Sequence, residues 1–340
     1  MKYFFINLVL NLFFSLPNWL LGILFRKKRV FIRDHYLDQQ TKIFLGLIDV
    51  FGYKLDTENF NNTERIKSNS ARMSLSINKK PNNNITFNDI YLKENKTIFM
   101  REYNPFDIKT DKILLFFHGG GYALGSVETH HNFVASMSMS LGMKIYSLEY
   151  SLSPENKFPY ALEDAKNAYL QIMQEYDNDK ILLCGDSAGA HLAASLSYDL
   201  YELNLPSPFA QILIYPMVSP SLNFESMELF KENFLLTKNS MRWFWDQLKA
   251  SEIDKENPRF DLLKQEKITG FLSNTLIITA GFDPLHDEGI AYADLLEKNG
   301  NKVKRLHFEQ LIHGFVNLTN IRKANAGTIK IFESIREYLK

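Results

Sequence analysis

Gly185-Asp186-Ser187-Ala188-Gly189 follows directly on the apolar run Ile181-Leu182-Leu183-Cys184, and its residue types make it the natural place in this 340-residue chain to look for chemistry. A serine hydroxyl is a weak nucleophile unless the backbone presents it at a sharp strand-to-helix turn; flanking glycines permit such a turn because they have no Cβ to clash. Ser187 is therefore a candidate for covalent attack on an acyl carbon. Two more parts are needed. One is a base to take the hydroxyl proton, and the other is a set of donors to hold the charge that develops on the carbonyl oxygen.

Both parts are present, in a usable order. Upstream, the strand-like run Lys112–Phe117 ends in His118-Gly119-Gly120-Gly121, where consecutive glycines leave peptide N–H groups bare enough to approach a ligand oxygen. Downstream, Thr275–Ala280 stops at Gly281-Phe282-Asp283-Pro284. An acid there falls at the carboxyl end of a strand, where open α/β sheets place their sites. Val303–Phe308 reads as another strand and leads through a short loop to His313-Gly314-Phe315.

Each position has competitors. Only His286, His307 and His313 follow Asp283. His286 is too near in sequence to reach the same nucleophile from another loop, and His307 lies inside the strand pattern, so His313 is the better base. Asp287 and Glu288 compete with Asp283, but they fall in the first turn of the next helix, where carboxylates suit the helix dipole. His118 reads as a brace for the glycine loop, and His191 as an ordinary helix residue.

Further segments resemble the hormone-sensitive-lipase-like branch of the α/β-hydrolase esterases. Tyr150-Ser151-Leu152-Ser153-Pro154-Glu155, Phe158-Pro159 and Ala161-Leu162-Glu163-Asp164-Ala165 are similar to that family's Y-R-L-A-P-E, F-P and A-x-x-D-A stretch. Gly281–Gly289 and Ile312–Phe315 resemble its acid and base segments, and Phe234–Gln247 and Leu37–Gly52 resemble lid helices. The resemblance implies Ser187 as nucleophile, Asp283 as orienting acid, His313 as base, and the N–H groups of Gly120, Gly121 and Ala188 as the oxyanion hole. It implies a serine hydrolase cleaving carboxylic esters of short to medium acyl chains, with no cofactor and no metal. A deacetylase or amidase would use the same triad; a non-catalytic small-molecule receptor would lack part of it. Two positions depart from the family pattern: Ser151 stands where Arg is usual, and Asp261-Leu262-Leu263 where Ser-Pro-Leu is common.

The elements that must hold these residues follow a βαβ rhythm. Ile85–Tyr103 reads as a hairpin, and the apolar runs at Lys112–Phe117, Met143–Leu148, Lys180–Cys184, Gln211–Tyr215, Thr275–Ala280 and Val303–Phe308 alternate with helical stretches such as Ala161–Tyr176 and Ala188–Leu203. The expectation is an α/β-hydrolase fold with a mostly parallel sheet over residues 85–216 and 271–340. Residues 217–270 form a helix-rich lid insertion, too long for a plain connection. Residues 31–84 carry an N-terminal lid helix and then a polar connector from Asp56 to Asn84, read as poorly ordered. Trp243-Phe244-Trp245 in the lid reads first as packing and, as part of the lid, as a boundary of the acyl pocket.

Composition narrows the partners. Net charge is zero with 45% apolar and 14% aromatic residues, which offers no basic footprint for nucleic acid. The single cysteine, Cys184, excludes an internal disulfide and reads as buried core. Tyr3–Phe25 is uncharged and is followed by Arg26-Lys27-Lys28-Arg29. As a helix this run reaches roughly 35 Å, against a hydrocarbon core of about 30 Å. Asn7, Asn11, Ser15, Asn18 and Gly22 fall on one helical face. Residues 1–30 are accordingly expected to be a membrane-associating helix, with contact through 1–29 placing the enzyme on the cytoplasmic face; a cytoplasmic chain whose helix packs on the protein itself is the alternative.

Overall fold

Alternation within the buried strands sets the layers. A computed structural model describes residues 14, 16, 29–51, 55–75, 83–265, 268 and 274–339. In strand β5 (Ile113–Phe117) every residue is buried, yet Leu115 and Phe117 join one hydrophobic cluster while Leu114 and Phe116 join another. Strand β7 (Ile181–Asp186) divides likewise, with Leu183 on one side and Leu182 and Cys184 on the other. Side chains alternate across a pleated strand, so two clusters mean a sheet covered on both faces.

Among the described residues that sheet has eight strands in the order β10-β9-β8-β7-β5-β6-β4-β3. The remaining members are β3 (Ile85–Tyr91), β4 (Phe99–Pro105), β6 (Lys144–Glu149), β8 (Ala210–Ile214), β9 (Asn274–Phe282) and β10 (Lys302–Ile312). β3, β4 and β6 pair antiparallel, and every pairing from β6 through β5, β7, β8 and β9 to β10 is parallel. The expected hairpin and all six later strands are thus present. The last is longer than expected: β10 continues past Phe308 to Ile312 through a register shift, so His313 follows the strand directly rather than after a loop.

Helices fill the crossovers, α3 (Val127–Leu141), α4 (Tyr160–Ile172), α5 (Ala188–Glu202) and α8 (His286–Lys298), and α9 (Arg322–Tyr338) follows the last strand. α3 shows how the sequence fixes a boundary. Ser126 and Thr129 exchange side-chain to backbone hydrogen bonds at its start, and Gly142 closes its end in the left-handed conformation. Glu149, at the end of β6, also accepts from the Val127 N–H at 2.7 Å. Among its described residues, the segment 217–270 expected as a lid contains α6 (Glu225–Leu229), α7 (Lys238–Leu248) and two short 3-10 turns.

The N-terminal part differs from expectation in one respect. α1 (Gln39–Phe51) occurs where a lid helix was expected, but the polar segment after it is not a loose connector: Asn62–Leu75 is helix α2. The Asn61 side chain accepts from the Glu64 N–H at 3.1 Å and so caps it. A small hairpin, β1 (Phe31–Ile32) with β2 (His35–Tyr36), precedes α1; Arg33 at its turn pairs with Asp287 and Glu225. The membrane helix expected over residues 1–30 lies outside the described residues apart from Phe14, Leu16, Arg29 and Val30. Of these, Phe14 is buried with Phe44 of α1 at 6.3 Å, and the Leu16 carbonyl accepts from Arg322. Among the described residues no helix is long and apolar enough to cross a membrane.

Glu149 gives a test of this packing. Burial pushes its carboxyl up to about 7 despite the Val127 N–H. A raised folded-state pKa favours the neutral form, so its contribution is present below the ordinary carboxyl range and is lost as pH rises through 7. Glu149→Gln keeps an acceptor for Val127 without the charge. Its Tm relative to the parent is expected to rise by a few degrees between pH 5 and pH 8, and a pH-independent difference would contradict the assignment.

Candidate active site

The centre of the site is a strained turn. Ser187 joins β7 to α5 with φ 56° and ψ −119°, a conformation that costs a non-glycine residue on the order of 1–3 kcal/mol. Neighbours hold it there. Its N–H donates to the Ile214 carbonyl, and its own carbonyl accepts from Ala190, His191 and Met217. The flanking glycines are sterically required: a Cβ on Gly185 would lie 2.2 Å from the Gly189 carbonyl, and one on Gly189 2.0 Å from the Phe117 oxygen. Helix α5 therefore starts in direct contact with β5 and β7, and Ser187 remains partly exposed above them.

Asp283 and His313 arrive from the ends of β9 and β10. His313 Nδ1 lies 2.8 Å from Asp283 Oδ2, and Nε2 lies 2.9 Å from Ser187 Oγ. Asp283 is fully buried, and its other oxygen accepts from the Leu285 N–H at 2.8 Å. A carboxylate can only accept, so the imidazole proton sits on Nδ1 and leaves Nε2 free to take one from the serine. The Tyr215 ring packs 4.6 Å from the imidazole and limits its movement.

The competing residues are occupied elsewhere. Asp287 is engaged by Arg33 and by the Ser226 N–H. Glu288 is buried, accepts from the Val218 N–H, and is pushed well above the usual carboxyl range by burial. His307 pairs with Thr279 and packs against His286 at 4.7 Å.

The glycine loop is held from below and from both sides. Gly119 N–H donates to Asp186 at 2.8 Å, and the Gly120 carbonyl accepts from Ala123 and Leu124. Gly120 and Gly121 have positive φ, which only glycine adopts at little cost. The amides of Gly120, Gly121 and Ala188 have no acceptor among the described residues. His118 stacks on Tyr150 at 4.3 Å, and burial lowers its pKa to about 3, so it is a neutral brace as expected. Cys184 is fully buried, also as expected.

Several residues of the site carry no motif. His191 is more than a helix residue: Tyr122 of the glycine loop lies 2.7 Å from its Nδ1 and the Phe260 carbonyl 2.9 Å from its Nε2, tying the loop and the lid to α5. From α2, the Arg65 guanidinium donates to the carbonyls of Ala123 and Ser153 and pairs with Glu155, while Asn69 exchanges hydrogen bonds with both backbone groups of Gly125. The readable sign was Asn61 three residues before Glu64, a helix-start pattern inside the polar stretch. Of the lid aromatics, Phe244 lies so close over Gly121 that a Cβ there would fall 2.2 Å from its ring; Trp243 meets Phe60, and Trp245 meets Phe260. The two departures from the family pattern are also placed: the Ser151 N–H donates to Asp164, and the Asp261 carboxylate accepts from the Leu263 N–H.

Comparison with known proteins shows the family and the fold. Residues 114–317 match the family model described as alpha/beta hydrolase fold. The carboxylic ester hydrolase LipN of Mycobacterium tuberculosis is 35% identical over 252 residues, which is 70% of this chain and 66% of that protein. An ethyl acetate hydrolase of Pseudomonas putida is 30% identical over 66% of this chain and 73% of its own length. This chain thus spans about two thirds of the mycobacterial relative. Among solved structures, a thermostable esterase from Pseudomonas putida superposes with a TM-score of 0.82 at 25% identity, covering 89% of this chain and 98% of that one. An arylesterase structure superposes at 0.78 with 26% identity, covering 89% and 99%. The chain belongs to the α/β-hydrolase fold family, in its hormone-sensitive-lipase-like branch.

Proposed function

We propose that this protein is a serine esterase that cleaves carboxylic esters of short to medium acyl chains through an acyl-enzyme. The observation that carries the reading is the continuous line from buried Asp283 through His313 to Ser187 Oγ, with both links within hydrogen-bond distance. His313 Nε2 takes the Ser187 proton as the oxygen attacks the ester carbonyl, and Asp283 stabilises the resulting imidazolium. The alkoxide of the tetrahedral intermediate is held by the N–H groups of Gly120, Gly121 and Ala188; loss of one such donor typically costs 10²–10³-fold in kcat. Collapse returns the proton to the departing alcohol and leaves an ester on Ser187. Water activated by His313 then attacks that ester, frees the acid and restores the serine. All proton transfers use protein groups and water.

Two further features support the size range. The Phe244 ring lies against Gly121, one of the proposed oxyanion-hole glycines, and a relative is named for hydrolysis of ethyl acetate. The uncharged run Tyr3–Phe25 with its following basic cluster supports membrane contact as part of the same reading. Full recovery of the whole chain in the soluble fraction at moderate salt would remove that part and leave the chemistry untouched.

Ser187→Ala is expected to abolish hydrolysis of p-nitrophenyl butyrate with an unchanged circular dichroism spectrum. Asp283→Asn, which removes the acceptor that fixes the imidazole tautomer, is expected to lower kcat by on the order of 10⁴-fold. Near-normal turnover by either variant would overturn the assignment.

A further inference from the structure

Helix α2 presents a third polar side chain on the face that grips the glycine loop. Arg65, Asn69 and Arg72 are spaced four and three residues apart, so their side chains project from nearly the same side of the helix. That side faces the body: Ser68 and Ala71 are buried, whereas Ile66, Lys67, Ser70 and Met73 are exposed. Arg65 and Asn69 spend their donors on Ala123 and Gly125 of the loop and on Ser153 and Glu155 beside it. Arg72, one turn further, is partly buried yet makes no hydrogen bond, ion pair or ring contact among the described residues. Among the described residues every other arginine has at least one such partner.

The groups that act on it electrostatically are ones that border the reaction centre. Burial lowers its pKa, and the groups near enough to act against that shift are Asp186, Tyr150 and Tyr215, of which Asp186 is the carboxylate. Asp186 directly precedes Ser187, and the Tyr215 ring touches His313. Tyr150 donates to the His118 carbonyl at the root of the glycine loop. Asp186 does not neutralise Arg72. Its carboxylate is taken by the Gly119 N–H and lies 3.3 Å from His130, and it makes no ion pair with Arg72.

A guanidinium drawn out of water without an acceptor is unfavourable, and its planar fork matches a carboxylate through two parallel hydrogen bonds. A substrate that brings an anion would find an unpaired guanidinium on the helix that grips the glycine loop. We propose that Arg72 is a substrate-recognition residue that takes a carboxylate carried by the ester, so that the preferred substrates are anionic esters such as the half-esters of dicarboxylic acids. The proposal rests on the esterase reading above and adds the charge of the substrate to it.

Paired substrates test it. Monoethyl glutarate against ethyl pentanoate places the carboxylate on the acyl side, and 4-acetoxybenzoate against 4-methylphenyl acetate places it on the leaving group. At least one anionic ester is expected to exceed its neutral partner in kcat/KM by about tenfold or more. Arg72→Met is expected to abolish that preference mainly through KM, leaving the neutral esters within about threefold of the parent, while Arg72→Lys retains part of it. A ratio near unity in the parent protein for both pairs, or a preference that survives Arg72→Met, would overturn the proposal. Calorimetric binding of monoethyl glutarate to Ser187→Ala, with and without Arg72→Met, reads the same contact without turnover. Absence of neutral-ester hydrolysis would therefore sink the esterase reading by itself, and loss of Arg72-dependent binding would sink only this one.

Discussion

The constraint on which the rest depends is the contact among three backbone segments at the elbow. Gly185, Gly189 and Phe117 approach so closely that no side chain fits between them, and this forces Ser187 into a left-handed conformation at the top of the sheet. A serine in an ordinary helix or strand would turn its hydroxyl into a groove or a layer. Here the hydroxyl stands clear of both, between a loop of bare amides and an imidazole. The cost of the strained dihedral is borne by five parallel pairings and two buried clusters that could not shift without separating β5 from β7.

The other parts gather around that point by topology. Parallel strands all end on the same edge, so residues far apart in sequence meet there: Asp283 after β9 and His313 after β10. Charge is then arranged by burial. Asp283 is sealed from water and accepts one backbone amide, which leaves its second oxygen for the imidazole. Asp186, also buried, is spent on the glycine loop and on His130. Two carboxylates in one site thus serve different purposes, one orienting a base and the other a loop.

Much of this was legible in the sequence because tight turns and buried strands leave local marks. The glycines around Ser187, the glycine run after His118, and acidic and histidine residues just beyond apolar strands are each visible within a few positions. What stayed hidden was tertiary. Asp56–Asn84 has the composition of a connector, and composition does not show that Arg65 and Asn69 have backbone partners near residue 125. His191 looked like any helical residue because its two partners, Tyr122 and the Phe260 carbonyl, lie 69 residues away on either side. Strand β10 was cut short at Phe308 because a register shift interrupts the alternation that marks a strand.

The central claim is that one hydroxyl, and no other group, becomes acylated. It is tested most directly by treating the purified protein with a fluorophosphonate and mapping the adduct by mass spectrometry. The account predicts one label per chain, on Ser187, with complete loss of ester hydrolysis at full labelling. Ester hydrolysis that continues in the fully labelled protein, or an adduct on a residue other than Ser187, would contradict it.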